Sequence, residues 1–277
     1  MIRQKTIERP VVVEGKGLQT GSKVKATFKS SPADSGINFI RVDLPNKPLI
    51  SVRLLSLESS LGKKRRTTLG IAPAQVQTTE HLLAAVSGLG ISNLVVETDG
   101  SEMPGLDGSA KEYVEALERS GIIEQDAVLR PITVANPVWC SNNGAFLAAL
   151  PYDGFRVSYF LSYPQAIGEQ FLSLEISRDT FKSEIAPART FCLKKEALLL
   201  KVLGFGRGAD NKNTLIMGKG GPVGNILRFP DEPVRHKILD LVGDLALAGA
   251  PLNAHIIAVK SGHSLNLELV KKLKQGD

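Results

Sequence analysis

Hydrophobic and polar residues alternate near the start of the chain with the period of two that is typical of β-strands. Residues 23–28 show this pattern, and with the apolar run at residues 11–13 on the other side of a glycine-rich turn they predict a β-hairpin. Residues 37–42, rich in apolar residues, predict a third strand. The chain is therefore expected to begin with a β-rich region.

Helical periodicity first appears after this region. An apolar pattern over residues 80–87 follows Thr78 and Thr79, either of which can cap a helix, and ends in a glycine-rich stretch. A strand is predicted over residues 93–97 and a second helix over residues 110–120. The first half thus predicts strands followed by two helices with one strand between them.

The second half of the chain repeats this order and ends in a helix predicted to begin at Asn266. Its predicted strands are residues 132–139, 145–150, 157–161 and 254–259, and its other predicted helices are residues 196–203 and 234–248. Each half also places a histidine near the start of a helix, with a glycine and a strand further on. These histidines are His81 and His236.

Strands grouped before helices favour an α+β fold over regularly alternating βαβ units. The polar residues 124–126 form the best boundary between the halves. We therefore predict two similar α+β domains, residues 1–126 and 127–277. In each, helices are layered on a sheet, and the two domains share one cleft that contains the active site.

Composition narrows the class of protein. The chain has 277 residues, of which 43% are hydrophobic and 22% charged, as in ordinary globular proteins, and its net charge of +6 favours an anionic partner. Cys140 and Cys192 form no CxxC motif, which favours free thiols in a reducing compartment. No apolar run approaches the ~20 residues of a membrane span, and the first residues do not resemble a signal peptide. We therefore expect a cytoplasmic protein.

The helical pattern around His236 places metal-binding side chains on one face. His236 and Asp240 are four residues apart, so their β-carbons are expected ~6 Å from each other and can bind one divalent ion. Asp244 continues the stripe but lies ~12 Å from His236 by helical rise, which assigns it to the surroundings of the ion or to proton transfer. The same spacing also occurs on the exposed face of an amphipathic helix.

His81 can complete such a site, although a histidine at the start of a buried helix can also be purely structural. Two histidines, one carboxylate and an open position are typical of catalytic zinc centres. Side chains of adjacent helical residues point ~100° apart, so Glu80 is expected to flank the open position and act as a general base. This ligand set accepts Zn²⁺ or Fe²⁺.

Two further residues are candidates for acid and oxyanion chemistry. His263 lies between a glycine and a serine after a predicted strand. An exposed side chain there can protonate a leaving amine, with Asp244 bound to its other ring nitrogen. Thr190 precedes a predicted helix, and the residues alone favour a role as its cap over one at an oxyanion. His255, inside an apolar strand, is interpreted as structural.

Several segments together resemble one enzyme family. In the order found in the bacterial UDP-3-O-acyl-N-acetylglucosamine deacetylases, the chain contains GKGLQTGSKV, TTEHLLAA, SEMPGLDGSA, ARTF, RFPDEPVRHKILDLVGDLALAG and KSGHSLN. The resemblance spans nearly the whole chain. It implies two α+β domains with the active site between them, and removal of acetate from a nucleotide-linked acylated sugar, the committed step of lipid A synthesis.

The resemblance also implies a role for each residue of the catalytic centre. The implied zinc ligands are His81, His236 and Asp240. The implied proton-transfer residues are Glu80 as the base, His263 as the acid and Asp244 as the partner that orients His263. Thr190 is implied to help hold the oxyanion.

A second set of residues is implied to bind the substrate. Phe191 and Lys237 position the glucosamine and a phosphate, and Glu196 lies near the sugar. Lys260 and Tyr163 contact the uridine end. An insert near residues 171–185 builds part of an apolar passage that takes the 3-O-acyl chain.

The chain departs from the family pattern at three single positions and in one loop. Gln19 stands where the family usually has histidine, Glu196 where it usually has aspartate, and Cys192 where glycine is common. The loop at residues 206–225 does not match closely. None of these differences involves the implied metal ligands.

Two other functions are compatible with parts of the sequence. The differences around Gln19 and Tyr163 leave open a related metal-dependent amidase that acts on another acylated or nucleotide-linked substrate. The basic run at residues 62–67 suits nucleic-acid binding, but only 5% of the residues are aromatic and none alternate with basic ones as stacking platforms. We therefore expect a monomeric protein with a small nucleotide-sugar lipid precursor as substrate, no nucleic acid and no stable membrane insertion.

Overall fold

The computed structural model describes residues 2–52, 61–63, 66–164, 166–202, 204 and 206–275. Lys64 and Arg65 of the basic run, and residue 203 at the end of a predicted helix, lie outside these residues. No helix in the described part of the chain is long and apolar enough to cross a membrane.

Two sheets with the same connectivity form the framework. In spatial order, the first consists of β2 (Val11–Lys16), β3 (Lys23–Lys29), β9 (Leu94–Thr98), β4 (Ile37–Arg41) and β5 (Leu49–Ser51). The second consists of β12 (Val138–Asn142), β13 (Ala145–Leu150), β19 (Leu252–Val259), β14 (Phe155–Ser162) and β15 (Glu169–Glu175), with β11 (Ile132–Thr133) beside β19. In each sheet the last strand of the repeat lies between its second and third, antiparallel to the second and parallel to the third. This shared order confirms the internal repeat.

Each repeat places one helix before its last strand and one after it. These helices are α1 (Glu80–Gly88) and α2 (Lys111–Arg119) in the first repeat, and α5 (Glu232–Leu245) and α6 (His263–Gln275) in the second. α1 packs against α5, while α5 and α6 also contact the second sheet. Eight of the nine residues of α1 are buried, because the helix lies inside the molecule and has no solvent-facing side.

Smaller elements are inserted at the same point of each repeat, between the fourth strand and the first helix. The first insert is the sheet of β6 (Leu61–Lys63), β7 (Arg66–Ile71) and β8 (Ala74–Gln77). The second contains α3 (Arg178–Thr180), a π-helical turn (Phe181–Ile185), β16 (Phe191–Leu193), α4 (Lys194–Val202), β17 (Leu215–Gly218) and β18 (Gly221–Pro222). A 3₁₀ turn (Ala246–Ala248) follows α5.

The predicted α+β class is confirmed, but some local details differ. The strand predicted over residues 132–139 is two short strands, because a proline lies between them at position 137. Thr79 precedes α1 without a side-chain cap bond, and the Thr78 hydroxyl instead donates to Glu102. Residues 124–126 lie within β10 (Ile122–Val128), which pairs with β1 (Arg3–Ile7). The predicted boundary thus lies inside a strand. The division of the chain into domains 1–126 and 127–277 remains a prediction.

Candidate active site

Three buried side chains from the two central helices converge on one point. Asp240 Oδ1 lies 3.4 Å from His236 Nε2 and 3.8 Å from His81 Nε2. One ligand atom from each residue lies within 4.8 Å of the others, which is compatible with a single metal ion. The convergence arises because α1 packs against α5 and because His236 and Asp240 are one helical turn apart.

The protonation states of these residues suit a divalent cation. His236 Nδ1 lies 3.0 Å from the Ala188 carbonyl oxygen, which can only accept, so Nδ1 carries the proton and Nε2 keeps its lone pair. Burial lowers the pKa of His81 to about 3 and also lowers that of His236, which keeps both rings neutral. Burial alone would raise the pKa of Asp240, but Lys237 and the histidines outweigh it and hold that pKa well below its usual range.

Glu80 is a buried carboxylate close to Asp240. Glu80, Asp240 and His263 form a second group whose ligand atoms lie within 4.8 Å of one another. The Thr67 backbone N–H donates to Glu80 Oε2 at 3.0 Å and fixes its orientation. Burial raises the pKa of Glu80 to about 8, although nearby His263 works against the rise. A carboxylate with such a pKa is suited to accept a proton near neutral pH.

His263 is held by Asp244, as the sequence predicted. His263 Nδ1 lies 2.8 Å from Asp244 Oδ2, and the Asn266 side-chain amide donates to the same oxygen at 2.8 Å. Burial alone would lower the pKa of His263, but Asp244 raises it to about 9, so the ring is positively charged at neutral pH. The prediction of an exposed loop histidine was wrong: His263 is buried and is the first residue of α6.

Four more predicted residues line the cleft that opens onto the metal ligands, namely Thr190, Phe191, Lys237 and Tyr163. Lys237 Nζ lies 2.7 Å from Asp240 Oδ2, and although burial alone would lower the pKa of Lys237, this carboxylate raises it. The Tyr163 and Phe191 rings meet edge to face with their centroids 5.4 Å apart. Thr190 does not cap a helix, because β16 separates it from α4.

Two predicted substrate-binding residues lie away from this cleft. Lys260 is exposed just after β19, and the Glu196 carboxylate accepts a bond from the Leu193 N–H at 3.3 Å in the first turn of α4. Among the described residues, neither lines the cleft. His255 lies in β19 with Nε2 2.8 Å from the Ser158 hydroxyl, outside the metal cluster. The roles predicted for these three residues remain predictions.

A larger apolar cavity lies in the second insert and was not predicted at this place. Its volume is about 1440 Å³, against about 150 Å³ for the catalytic cleft. Its apolar wall includes Leu193, Ala197, Ile216, Met217, Pro222 and Val223. The residues near 171–185, which were predicted to build part of an acyl passage, form edge strand β15 and a turn whose Phe181 and Ile185 are fully buried in the main core. That placement of the passage remains a prediction. A local sequence signal for the observed cavity is the short apolar run 215–217 before a glycine-rich turn.

Two of the departures from the family pattern lie in the catalytic cleft. Gln19 and Cys192 both line it. The Gln19 side-chain oxygen accepts a bond from the Gly206 N–H at 3.3 Å, and its backbone N–H donates to Glu102 at 2.9 Å. The loop at residues 206–225 therefore contacts the glycine-rich turn of the first repeat directly.

The fold and this cleft define a class of protein. Two neutral histidines and a carboxylate suit one divalent cation, and a carboxylate of raised pKa and a charged histidine form a second group around the same Asp240. Such an arrangement is that of a metal-dependent hydrolase.

Comparison with known proteins identifies the family. The sequence model of the UDP-3-O-acyl N-acetylglycosamine deacetylases matches residues 4–275. Three proteins named UDP-3-O-acyl-N-acetylglucosamine deacetylase are similar to this chain over 98% of its length. The protein from Trichormus variabilis is 38% identical, and the match covers 98% of it. The protein from Thermodesulfovibrio yellowstonii is 38% identical with 91% of it covered, and the one from Chlamydia pneumoniae is 39% identical with 96% covered. The chain belongs to this family of hydrolytic deacetylases.

Proposed function

We propose that this protein hydrolyses the N-acetyl group of UDP-3-O-acyl-N-acetylglucosamine to give UDP-3-O-acyl-glucosamine and acetate, the committed step of lipid A biosynthesis. The observation that carries this proposal is the convergence of Glu80 and His263 on Asp240, the residue that also groups with the two histidines of the proposed metal site. Full-length relatives that carry this activity in their names support the choice of substrate.

The proposed cofactor is a zinc ion held by His81, His236 and Asp240, and the same donors accept Fe²⁺. A divalent cation at this position supplies Lewis acidity towards the amide carbonyl and the attacking water. Because both imidazole rings are neutral and Asp240 is ionised, the three residues need no proton loss before they bind it.

Glu80 and His263 are the proposed base and acid. Glu80, in its ionised form, takes a proton from the attacking water as the new C–O bond forms. His263, charged through its contact with Asp244, gives its Nε2 proton to the sugar nitrogen as the C–N bond breaks. The products are acetate and a free amine, and Asp244 keeps the ring oriented throughout.

The remaining cleft residues are proposed to bind the substrate. Thr190 stabilises the developing oxyanion, while Phe191 and the Lys237 ammonium position the glucosamine and a phosphate. Tyr163 is proposed to contact the uridine end. We keep Lys260 and Glu196 as proposed contacts to the uridine and the sugar, although they lie outside the cleft.

The apolar cavity of the second insert is the proposed binding site of the 3-O-acyl chain. Its wall is built by aliphatic side chains of β16, α4 and β17. Tyr163 borders the catalytic cleft, and Pro164, the next residue, borders the cavity. A substrate whose sugar lies in the cleft can therefore direct its acyl chain into the cavity.

We propose that the protein acts in the cytoplasm as a monomer. Neither cysteine forms a disulfide, which suits a reducing compartment. Cell fractionation and light scattering of the purified protein test the two parts of this proposal separately.

Deacetylation of UDP-3-O-acyl-N-acetylglucosamine by the purified protein tests the function directly. Turnover should disappear on treatment with a chelator and return when zinc is added. His236→Ala should lose both metal and turnover. Since Gln19 lies in the cleft, absence of activity in the metal-replete protein would favour a related amidase with another acylated or nucleotide-linked substrate.

A further inference from the structure

Arg189 lies between two residues of the active site, yet the mechanism above gives it no task. On one side is Ala188, whose carbonyl oxygen accepts the hydrogen bond from the metal ligand His236. On the other is Thr190, which lines the cleft. The Arg189 side chain is buried, and its hydrogen bonds go to residues other than Ala188 and Thr190.

One set of contacts joins Arg189 to the helix that carries the metal ligands. Its Nε and Nη2 atoms donate to the Glu232 carboxylate at 2.9 and 3.1 Å, and its backbone N–H donates to the same group at 2.9 Å. Glu232 is fully buried and is the first residue of α5. Arg189 therefore fixes the start of the helix on which His236 and Asp240 lie.

A second set of contacts joins the same guanidinium to the segment that follows Val223, a residue of the cavity wall. Nη1 donates to the Asn225 side-chain oxygen at 2.8 Å, and Nη2 donates to the Ile226 carbonyl at 2.6 Å. Asn225 also donates to the carbonyl of Asn211, which lines the cavity. The segment that Arg189 holds is thus hydrogen-bonded to a residue of the cavity wall.

From these contacts we infer that Arg189 is a positioning residue that couples the acyl cavity to the metal-binding helix. An acyl chain that fills the cavity fixes the segment at residues 225–228, and Arg189 transmits this order to α5 and to the Ala188 carbonyl that orients His236. Only a planar group with five donors can make both sets of contacts, and a lysine cannot replace it. The inference rests on the proposed function, because it assigns the occupant of the cavity as the substrate's acyl chain.

Arg189→Lys keeps the positive charge but cannot contact Glu232 and the 225–226 segment at the same time. The kinetics of this variant on two substrates test the coupling. The wild-type protein should turn over the acylated substrate with a higher kcat than UDP-N-acetylglucosamine, which lacks the chain. In Arg189→Lys this ratio of kcat values should fall by about 10-fold or more, as for other residues that orient a metal ligand. A merely structural loss would lower both kcat values equally and leave the ratio unchanged, which would overturn the inference.

Arg235→Lys is the matched control. Arg235 is also a paired arginine of α5, but it contacts Glu184 and Asp231 and not the cavity wall. Its substitution should keep the ratio. Should Arg189→Lys fail to fold, Asn225→Ala removes only the contact on the cavity side and should lower the ratio by a smaller factor. An unchanged ratio in Asn225→Ala would then count against the coupling.

A readout without turnover separates this inference from the proposed function. In cobalt-substituted protein, a 14-carbon fatty acid should change the visible absorption of the metal in the wild type and in Arg235→Lys, but not in Arg189→Lys. A four-carbon acid should have no effect. If the 14-carbon acid leaves the wild-type spectrum unchanged, the coupling is wrong even where the enzyme is active. If the spectrum changes but the acylated substrate is not hydrolysed, the proposed function is wrong and the coupling stands.

Discussion

Gly243 of α5 lies directly against the backbone of Glu80 at the start of α1. A β-carbon added at position 243 would lie 2.1 Å from the Glu80 carbonyl oxygen. The two central helices therefore approach each other closely where one of them carries the proposed base. Because the atom in the way belongs to the backbone, it cannot yield as a flexible side chain would.

Gly243→Ala should therefore push α1 away from α5. We expect a loss of about 1–3 kcal/mol in the free energy of unfolding, as in other overpacked interiors, together with weaker metal binding because His81 moves with α1. Urea unfolding and zinc titration measure the two effects. Gly220→Ala is the control, since a β-carbon there meets nothing within 4 Å. Equal stability of the two variants would contradict the tight crossing.

Glu80→Gln should keep the metal and lose most of the turnover. The amide preserves the size of the side chain but cannot accept the proton of the attacking water, so kcat should fall by about 10²- to 10⁴-fold. Metal analysis and steady-state kinetics test both parts. Glu115→Gln, at a partly exposed position on α2, should change neither. If Glu80→Gln turns over at the wild-type rate, another group is the base.

The metal-free protein should become less stable as the pH rises from about 6.5 to about 9. Asp244, Asp240 and Glu80 face His263 and raise the pKa of this histidine from 6.5 to about 9 in the folded state. The charged ring therefore contributes its full stabilisation below pH 6.5. This contribution is lost as the pH rises through about 9. Glu80 acts in the same direction, because its pKa is raised from 4.5 to about 8 and its protonated form is favoured in the folded state.

Urea unfolding of chelator-treated protein across this pH range tests the expectation. Asp244→Asn removes the main cause of the raised pKa of His263 and should make the decline in stability shallower. An identical decline in this variant, or a rise in stability with pH, would show that His263 does not titrate as described.

A larger side chain in the acyl cavity should shorten the preferred acyl chain. Ala197→Phe places a ring in the cavity wall, so kcat/KM should fall about tenfold or more for the longest chains, by analogy with the loss of methylene contacts in apolar pockets, and should change little for short chains. A series of acyl substrates measures the effect. Ala135→Phe, at an exposed position, should leave the series unchanged. A uniform loss across all chain lengths would place the chain elsewhere.

The metal cluster was predictable because it depends on helical spacing. His236 and Asp240 are one turn apart on α5, and this separation alone fixes their approach. The arrival of His81 from the first repeat could be expected only from the repeated pattern around the two histidines. The strand order of each sheet, which brings the helices together, has no signal in the local sequence.

The position of His263 and the acyl cavity could not be read from local patterns. A glycine and a serine beside a histidine are typical of an exposed loop, yet packing of α6 buries this side chain against Asp244. The cavity is lined by residues from β16 and the adjoining helix α4, and from β17 and β18, which lie more than ten residues further along the chain. Its existence depends on how these elements fold back, and local periodicity carries no information about that.

The identical strand order of the two sheets has a consequence for ancestry. Apart from the inserts and strands β1, β10 and β11, each half of the chain has four strands, a helix, a fifth strand and a second helix. Two such units joined end to end point to duplication and fusion of a shorter gene. The first copy contributes His81 and Glu80 to the proposed site, and the second contributes His236, Asp240 and His263. Because the proposed metal donors come from both copies, the proposed cation can be held only after both halves of the polypeptide have been translated and docked.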